Sequence, residues 1–138
     1  MAIAYFPSSD DADIIEVAFA TTTGVDLNYR LLVDSGFSGS ISLVLSQDIQ
    51  ELATIPAPAS HAYGAIQGVQ KRVIVFCRMP AISFQTTAVA IVSDLSPMSL
   101  PSGVQGIAGL RLLRQFLRWG AEQTGDGSWR FFLENEAT

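Results

Sequence analysis

The chain has 138 residues, a length that fits one domain and would bury roughly two-thirds of its unfolded surface. Apolar residues make up 49% and charged ones 15%, yet no run approaches the roughly 20 consecutive apolar residues that cross a bilayer, so a soluble single-core protein is expected. A net charge of −5 with sparse, scattered Lys and Arg argues against nucleic acid and membranes as partners.

Met1 to Asp13 has neither the basic start nor the long apolar stretch of a secretory signal, so with Met1 as the natural start a cytoplasmic location is expected. Ile14 to Ala20 reads as a strand, and Thr21-Thr22-Thr23-Gly24-Val25-Asp26 as a turn into a second strand, Leu27 to Val33, that ends at Asp34. A third strand resumes at Ile41 to Leu45. In Ser46 to Leu52 a hydroxyl at a cap position precedes acidic residues, which predicts a short helix ended by Pro56-Ala57-Pro58. Ser60 to Met79 carries Gly64 and Gly68 and then the apolar run Val73-Ile74-Val75-Phe76, the pattern of a long, partly exposed hairpin with a mobile tip. Ala81 to Phe84 and Ala88 to Val92 read as further strands and Ser96 to Gly103 as a loop. Leu110, Leu113 and Leu117 recur at helical spacing, so a short helix after Gly109 is expected to bury that face. Thr124-Gly125-Asp126-Gly127 then turns into a terminal strand, Trp129 to Leu133. The predicted class is mostly β with one or two short helices, in one domain over 1–138 with its core at about 14–133.

Within this succession the segment Leu31-Leu32-Val33-Asp34-Ser35-Gly36-Phe37-Ser38-Gly39-Ser40 stands out. Three apolar residues deliver a carboxylate to a hydroxyl-glycine turn held between two predicted buried strands. Asp, Ser and Gly also make ordinary turns, so the triplet alone is a weak signal. A second apolar-apolar-glycine triplet, Ile107-Ala108-Gly109, lies far downstream. Burying an unpaired carboxylate costs desolvation, which favours a catalytic over a purely structural reading of Asp34. The single cysteine, Cys77, ends an apolar run and has no partner in the chain, so a disulfide framework and a cysteine metal site are unavailable and a buried, inert thiol is expected.

Other chemistries lack their parts. Gly36-Phe37-Ser38-Gly39-Ser40 imitates a serine-hydrolase elbow but ends in serine and leads into strand alternation rather than a helix. His61 is the single histidine and lies in a Pro/Ala/Ser loop, which leaves a histidine triad or a metal centre incomplete. Gly103 to Gly109 precedes a helix without the Lys-Ser/Thr pair of a phosphate-binding loop. No metal and no other cofactor is implied.

The order and spacing of these motifs resemble the retropepsin-like aspartic proteases, within them the cellular subgroup in which phenylalanine follows the Asp-Thr/Ser-Gly triplet. Val33-Asp34-Ser35-Gly36-Phe37-Ser38-Gly39 is similar to the catalytic loop, and Ser46 to Ile55 to the short helix after it. Ala62-Tyr63-Gly64 falls where the flap begins, and Gly106-Ile107-Ala108-Gly109-Leu110-Arg111-Leu112-Leu113 is similar to the later apolar-glycine turn and helix. The likeness covers roughly Ile14 to Leu133. It departs at Ser35, which keeps the hydroxyl of the commoner threonine and loses its methyl, at the small Ala108, and at Arg111, where relatives carry an acid or an amide.

The resemblance implies a single-lobe closed β-barrel and an endopeptidase in which a water held between two aspartates, one ionised and one protonated, attacks the peptide bond. The motif occurs once, so the active form is expected to be a homodimer with Asp34 of each copy at the axis. Two negative charges about 3 Å apart repel by roughly 5 kcal/mol at an effective dielectric near 20, so such a pair titrates as a unit and the rate profile is expected to be bell-shaped, with its optimum on the acid side of neutral. By the same resemblance Asp34, Ser35 and Gly36 form the catalytic loop, Ser35 bonding across the axis and Gly36 admitting the substrate backbone. Phe37, Ser38, Tyr63, Gly64 and Ala65 are expected to contact an extended protein or peptide substrate, Phe37 being equally suited to a core position. Ile107, Ala108 and Gly109 are expected to form a structural second loop, with Gly109 passing beneath the catalytic loop where a Cβ would clash. The strand Trp129 to Leu133 either interleaves with a dimer mate or caps its own sheet. A homodimeric peptide-binding or scaffold module that keeps the fold without proteolysis is the alternative function.

Overall fold

The computed structural model describes residues 2–8, 12–47, 51–57 and 71–136. Among these residues ten strands follow in chain order: β1 (Ala2–Pro7), β2 (Ile14–Phe19), β3 (Leu27–Asp34), β4 (Leu43–Ser46), β5 (Thr54–Pro56), β6 (Lys71–Met79), β7 (Phe84–Ser93), β8 (Gly106–Gly109), β9 (Arg118–Gln123) and β10 (Trp129–Asn135). One short helix, α1 (Leu110–Leu113), follows β8, and 3-10 turns lie at Pro80–Ile82 and Ser96–Met98.

Six strands close a mixed β-barrel in the order β2-β3-β8-β4-β7-β6, with β2 returning to β6 through Ala18↔Arg78 and Phe19↔Cys77. β5 adds to the edge of β6. Alternation builds the wall. In β6 the side chains of Val73, Val75, Cys77 and Met79 are buried while their neighbours face outward, and β2 buries Ile15, Val17 and Phe19 in the same manner. Each large aliphatic side chain buried in this way contributes about 1.5–3 kcal/mol, and a slip of one residue would turn the whole set outward, so the register is strongly specified.

β4 and β8 follow another pattern. Leu43, Leu45 and Ala108 point into the main core, while Val44 and Ile107 join Ile41 and Ile91 in a second cluster on the opposite face, covered by Phe37, Leu95, Met98 and Leu100. Both faces are therefore buried, which explains why these segments read as continuous apolar runs.

β1, β10 and β9 form a separate three-stranded antiparallel sheet. Its inner face lays Phe131 and Leu133, flanked by Ala2, Ala4, Phe6 and Trp119, against the barrel core. On its outer face Arg118 pairs with Glu134 at 2.9 Å and Arg130 with Glu122 at 2.7 Å, and their guanidinium groups lie over the rings of Phe132 and Tyr5. The terminal strand thus caps its own sheet, with both of its edges occupied within one chain.

Several expectations are corrected here. Ser46 closes β4 by pairing with Ser93, and Leu52 bridges to Thr21, so the described ends of the expected Ser46–Leu52 helix are extended; Asp48, Ile49 and Gln50 lie outside the described residues. Of the strand expected at Ala81 to Phe84 only Phe84 is extended, because Pro80–Ile82 form a 3-10 turn that hands the chain from β6 to β7 through Ser83 at φ 52°; β7 then runs unbroken from Phe84 through the second expected strand, Ala88 to Val92. α1 stops at Leu113, leaving Leu117 exposed, because the Leu117 N–H donates to the Glu134 carbonyl at 2.8 Å and begins the next sheet pairing. β1, β5 and β9 were not expected at all. β5 and β9, short and proline-ended or charged, carry little strand signature of their own, whereas β1 holds Ile3, Tyr5 and Phe6 before its proline; all three pair with the edge of a neighbouring strand.

Candidate functional site

Asp34 is the last residue of β3 and the cross-strand partner of Gly109. β3 and β4 are consecutive in sequence but are not neighbours: β8 is inserted between them, parallel to β3 and antiparallel to β4. The loop 35–42 therefore arches over the end of β8, with one arm on each side of it.

Short-range polar chemistry shapes the near arm. The Gly36 N–H donates to Asp34 Oδ1 at 3.0 Å and the Phe37 N–H to the Asp34 carbonyl at 3.1 Å, a turn stabilised by its own aspartate side chain. The end of β8 and the residue after it clamp both arms. Gly109 donates its N–H to the Ser42 carbonyl, and Leu110 its N–H to the Phe37 carbonyl, each at 2.9 Å. A glycine stands at each end of β8, and both ends are crowded: the Val44 carbonyl lies where a Cβ at Gly106 would go, and the Phe37 backbone lies where a Cβ at Gly109 would go. On the other flank of β3, Val33 donates its N–H to the Asp13 carbonyl at 2.8 Å.

Asp34, Ser35, Gly36 and Ser38 are all exposed. The desolvation argument for Asp34 consequently fails for the single chain, because its carboxylate is in water at the rim of the barrel. Phe37 is partly buried and packs on the outer cluster of Ile41, Val44, Ile91 and Ile107. Ile107, Ala108 and Gly109 are buried and form strand β8 rather than a loop. Tyr63, Gly64 and Ala65, together with His61 and the expected hairpin tip, lie outside the described residues. Among the described residues no group of three or more His, Cys, Asp or Glu side chains forms a metal centre.

Sequence reading did not single out the Tyr29–Glu51 contact. The Tyr29 hydroxyl, buried inside the barrel, donates to the Glu51 carboxylate. Burial first, and then this bond, push the Tyr29 phenol well above its usual range, while the same bond holds Glu51 below the ordinary carboxylate value. The contact joins β3 to the segment leading into β5, which is also bound to the end of β2 through Thr22 N–H to the Glu51 carbonyl and Ala53 N–H to the Ala20 carbonyl. No local pattern announces a bond between residues so far apart. Cys77 is buried, and burial pushes its thiol up to about 12.

The arrangement offers a carboxylate at the rim of a closed barrel, oriented by one backbone N–H and carried on a loop braced from below by two backbone hydrogen bonds. Such a group can take a proton from a water molecule; a second acidic group near it is needed to donate one. Compared with known protein families, with curated proteins and with solved structures, the chain matches none of them.

Proposed function

We propose that this chain is the protomer of a retropepsin-like aspartic endopeptidase whose active site is shared between two copies. The observation that carries the reading is the exposed Asp34-Ser35-Gly36 turn, held at the end of β3 by a loop that straddles β8. One chain supplies one such carboxylate, and water-activated peptide cleavage without a metal needs a base and an acid. A two-fold dimer meeting at the loop supplies both from the same residue, one copy ionised to take the water's proton and the other protonated to assist the carbonyl oxygen. An exposed turn is suited to this, since the partner's approach would complete the desolvated site. In this reading Ser35 would lock the two turns together and Gly36 would admit an extended peptide backbone.

Digestion of a peptide library tests the reading. The parent protein is expected to give pepstatin-sensitive cleavage, and the Asp34→Asn variant to keep its circular dichroism spectrum and melting temperature while losing turnover. Equal turnover by the variant would overturn the assignment. The exposure of Asp34 supports one other reading, a homodimeric peptide-binding module without proteolysis; there, both proteins bind peptides and neither cleaves them.

A further inference from the structure

Arg111 and Arg114 differ from the arginines of the outer sheet and from Arg78, each of which faces a carboxylate. Among the described residues neither has an ion-pair partner, although the chain carries a net charge of −5. Both open onto one groove of about 460 Å³, formed where α1 and the turn after it meet the middle of β7 and the far arm of the Asp34 loop. Thr86 and Thr87 line its β7 wall, and Gln115 lies beside the arginines. Ser42 lines it from the loop and is only 4% exposed. The backbone groups of Ser42 are bonded to Val89 and Gly109, while its hydroxyl has no partner among the described residues. Among the described residues no acidic side chain lines the groove.

We infer that this groove binds a phosphoryl group. α1 with the turn after it supplies two guanidinium groups and a side-chain amide, the far arm of the Asp34 loop adds the Ser42 hydroxyl and β7 the threonine wall, a set rich in donors and, among the described residues, without a competing carboxylate. Two fixed positive charges match a phosphoryl dianion, which carries roughly −1.5 to −2 at neutral pH, better than they match one carboxylate. The shared chemistry is that of inorganic phosphate and of a phosphorylated side chain on a peptide. The site is independent of proteolysis, although Ser42 joins it to the clamp beneath the Asp34 loop.

Amide chemical shifts followed at constant ionic strength test the inference, with inorganic phosphate, a phosphoserine peptide and its unphosphorylated twin as probes. Saturable shifts centred on Ser42, Thr87, Arg111 and Arg114 are expected with phosphate, with the phosphopeptide or with both; a response to the phosphopeptide alone identifies the peptide as the source. Arg111→Ala and Arg114→Ala should each weaken binding about tenfold, Ser42→Ala by less, and Arg111→Lys should restore part of the loss. Asp34→Asn should leave binding unchanged, which separates this site from the proposed peptidase. Non-saturating shifts with both phosphoryl probes, equal binding of the unphosphorylated twin, or unchanged affinity in both alanine variants would overturn it.

Discussion

The Cβ that any other residue would carry at position 109 falls 2.8 Å from both the carbonyl oxygen and Cδ1 of Phe37. This closeness is what allows the backbone at 109–110 to bond both arms of the Asp34 loop, with the Phe37 carbonyl accepting from Leu110 and the Ser42 carbonyl from Gly109. Gly109→Ala must push the loop away or strain it, because one of the obstructing atoms is backbone. The expected cost is about 1–3 kcal/mol in denaturant unfolding, and under the proposed peptidase reading turnover should fall further than stability because the carboxylate is displaced. An alanine variant as stable and active as the parent would show that the clamp is unimportant.

If two copies share one site, the rate of peptide cleavage should rise faster than linearly with protein concentration until the dimer is saturated. Mixing the parent with an excess of Asp34→Asn should depress activity below that of the parent alone, because mixed dimers hold one ionisable carboxylate instead of two. Strictly linear kinetics, together with only monomers in sedimentation at high concentration and mildly acidic pH, would remove the basis for sharing.

The Tyr29–Glu51 bond makes a pH prediction with a definite sign. Since the bond lowers the Glu51 carboxyl from its ordinary 4.5, the stability it contributes is present above that value and is lost as pH falls through the lowered folded value. Tyr29→Phe should therefore cost about 0.5–1 kcal/mol near neutral pH, at the low end for such a bond because Glu51 still reaches water, and the gap to the parent should close in acid. Urea unfolding of both proteins from neutral pH down to about pH 3 reads it directly. A gap of constant size across that range would mean that the tyrosine acts through packing alone.

Cys77 should behave as an apolar side chain. Burial raises its thiol to about 12, so the thiolate is scarce at pH 8 and the sulfur is out of reach. A thiol reagent at that pH should leave the folded protein unlabelled and modify it at the rate at which the barrel opens, reaching full labelling in denaturant. Fast labelling of the native protein would place the sulfur at the surface.

The elements legible in the sequence are those whose burial is written in their own alternation. β2, β3 and β10 carry enough apolar residues at period two to announce a strand, β6 announces itself by its apolar run Val73 to Cys77, and the Asp34 turn by its polar residues between two apolar runs. Residues 110–117 show the limit of such reading, since Leu110, Leu113 and Leu117 keep a helical spacing while only Leu110–Leu113 are helical. The last of these leucines is drawn into a backbone bond with Glu134, and a partner in another strand outweighs the propensity of the segment itself.

The sequence by itself determined a mostly β chain with a carboxylate at the end of an apolar strand, because side-chain periodicity and turn chemistry act within a few residues. Only the tertiary structure decided that β8 is threaded between β3 and β4, that the terminal strand is enclosed by β1 and β9, and that Asp34 stands in water. Those features depend on which distant backbones meet. The Gln105 N–H bonded to the Arg30 carbonyl, or Gly109 facing Asp34, lies in no window of local pattern, since strand pairing uses peptide groups that every residue carries alike.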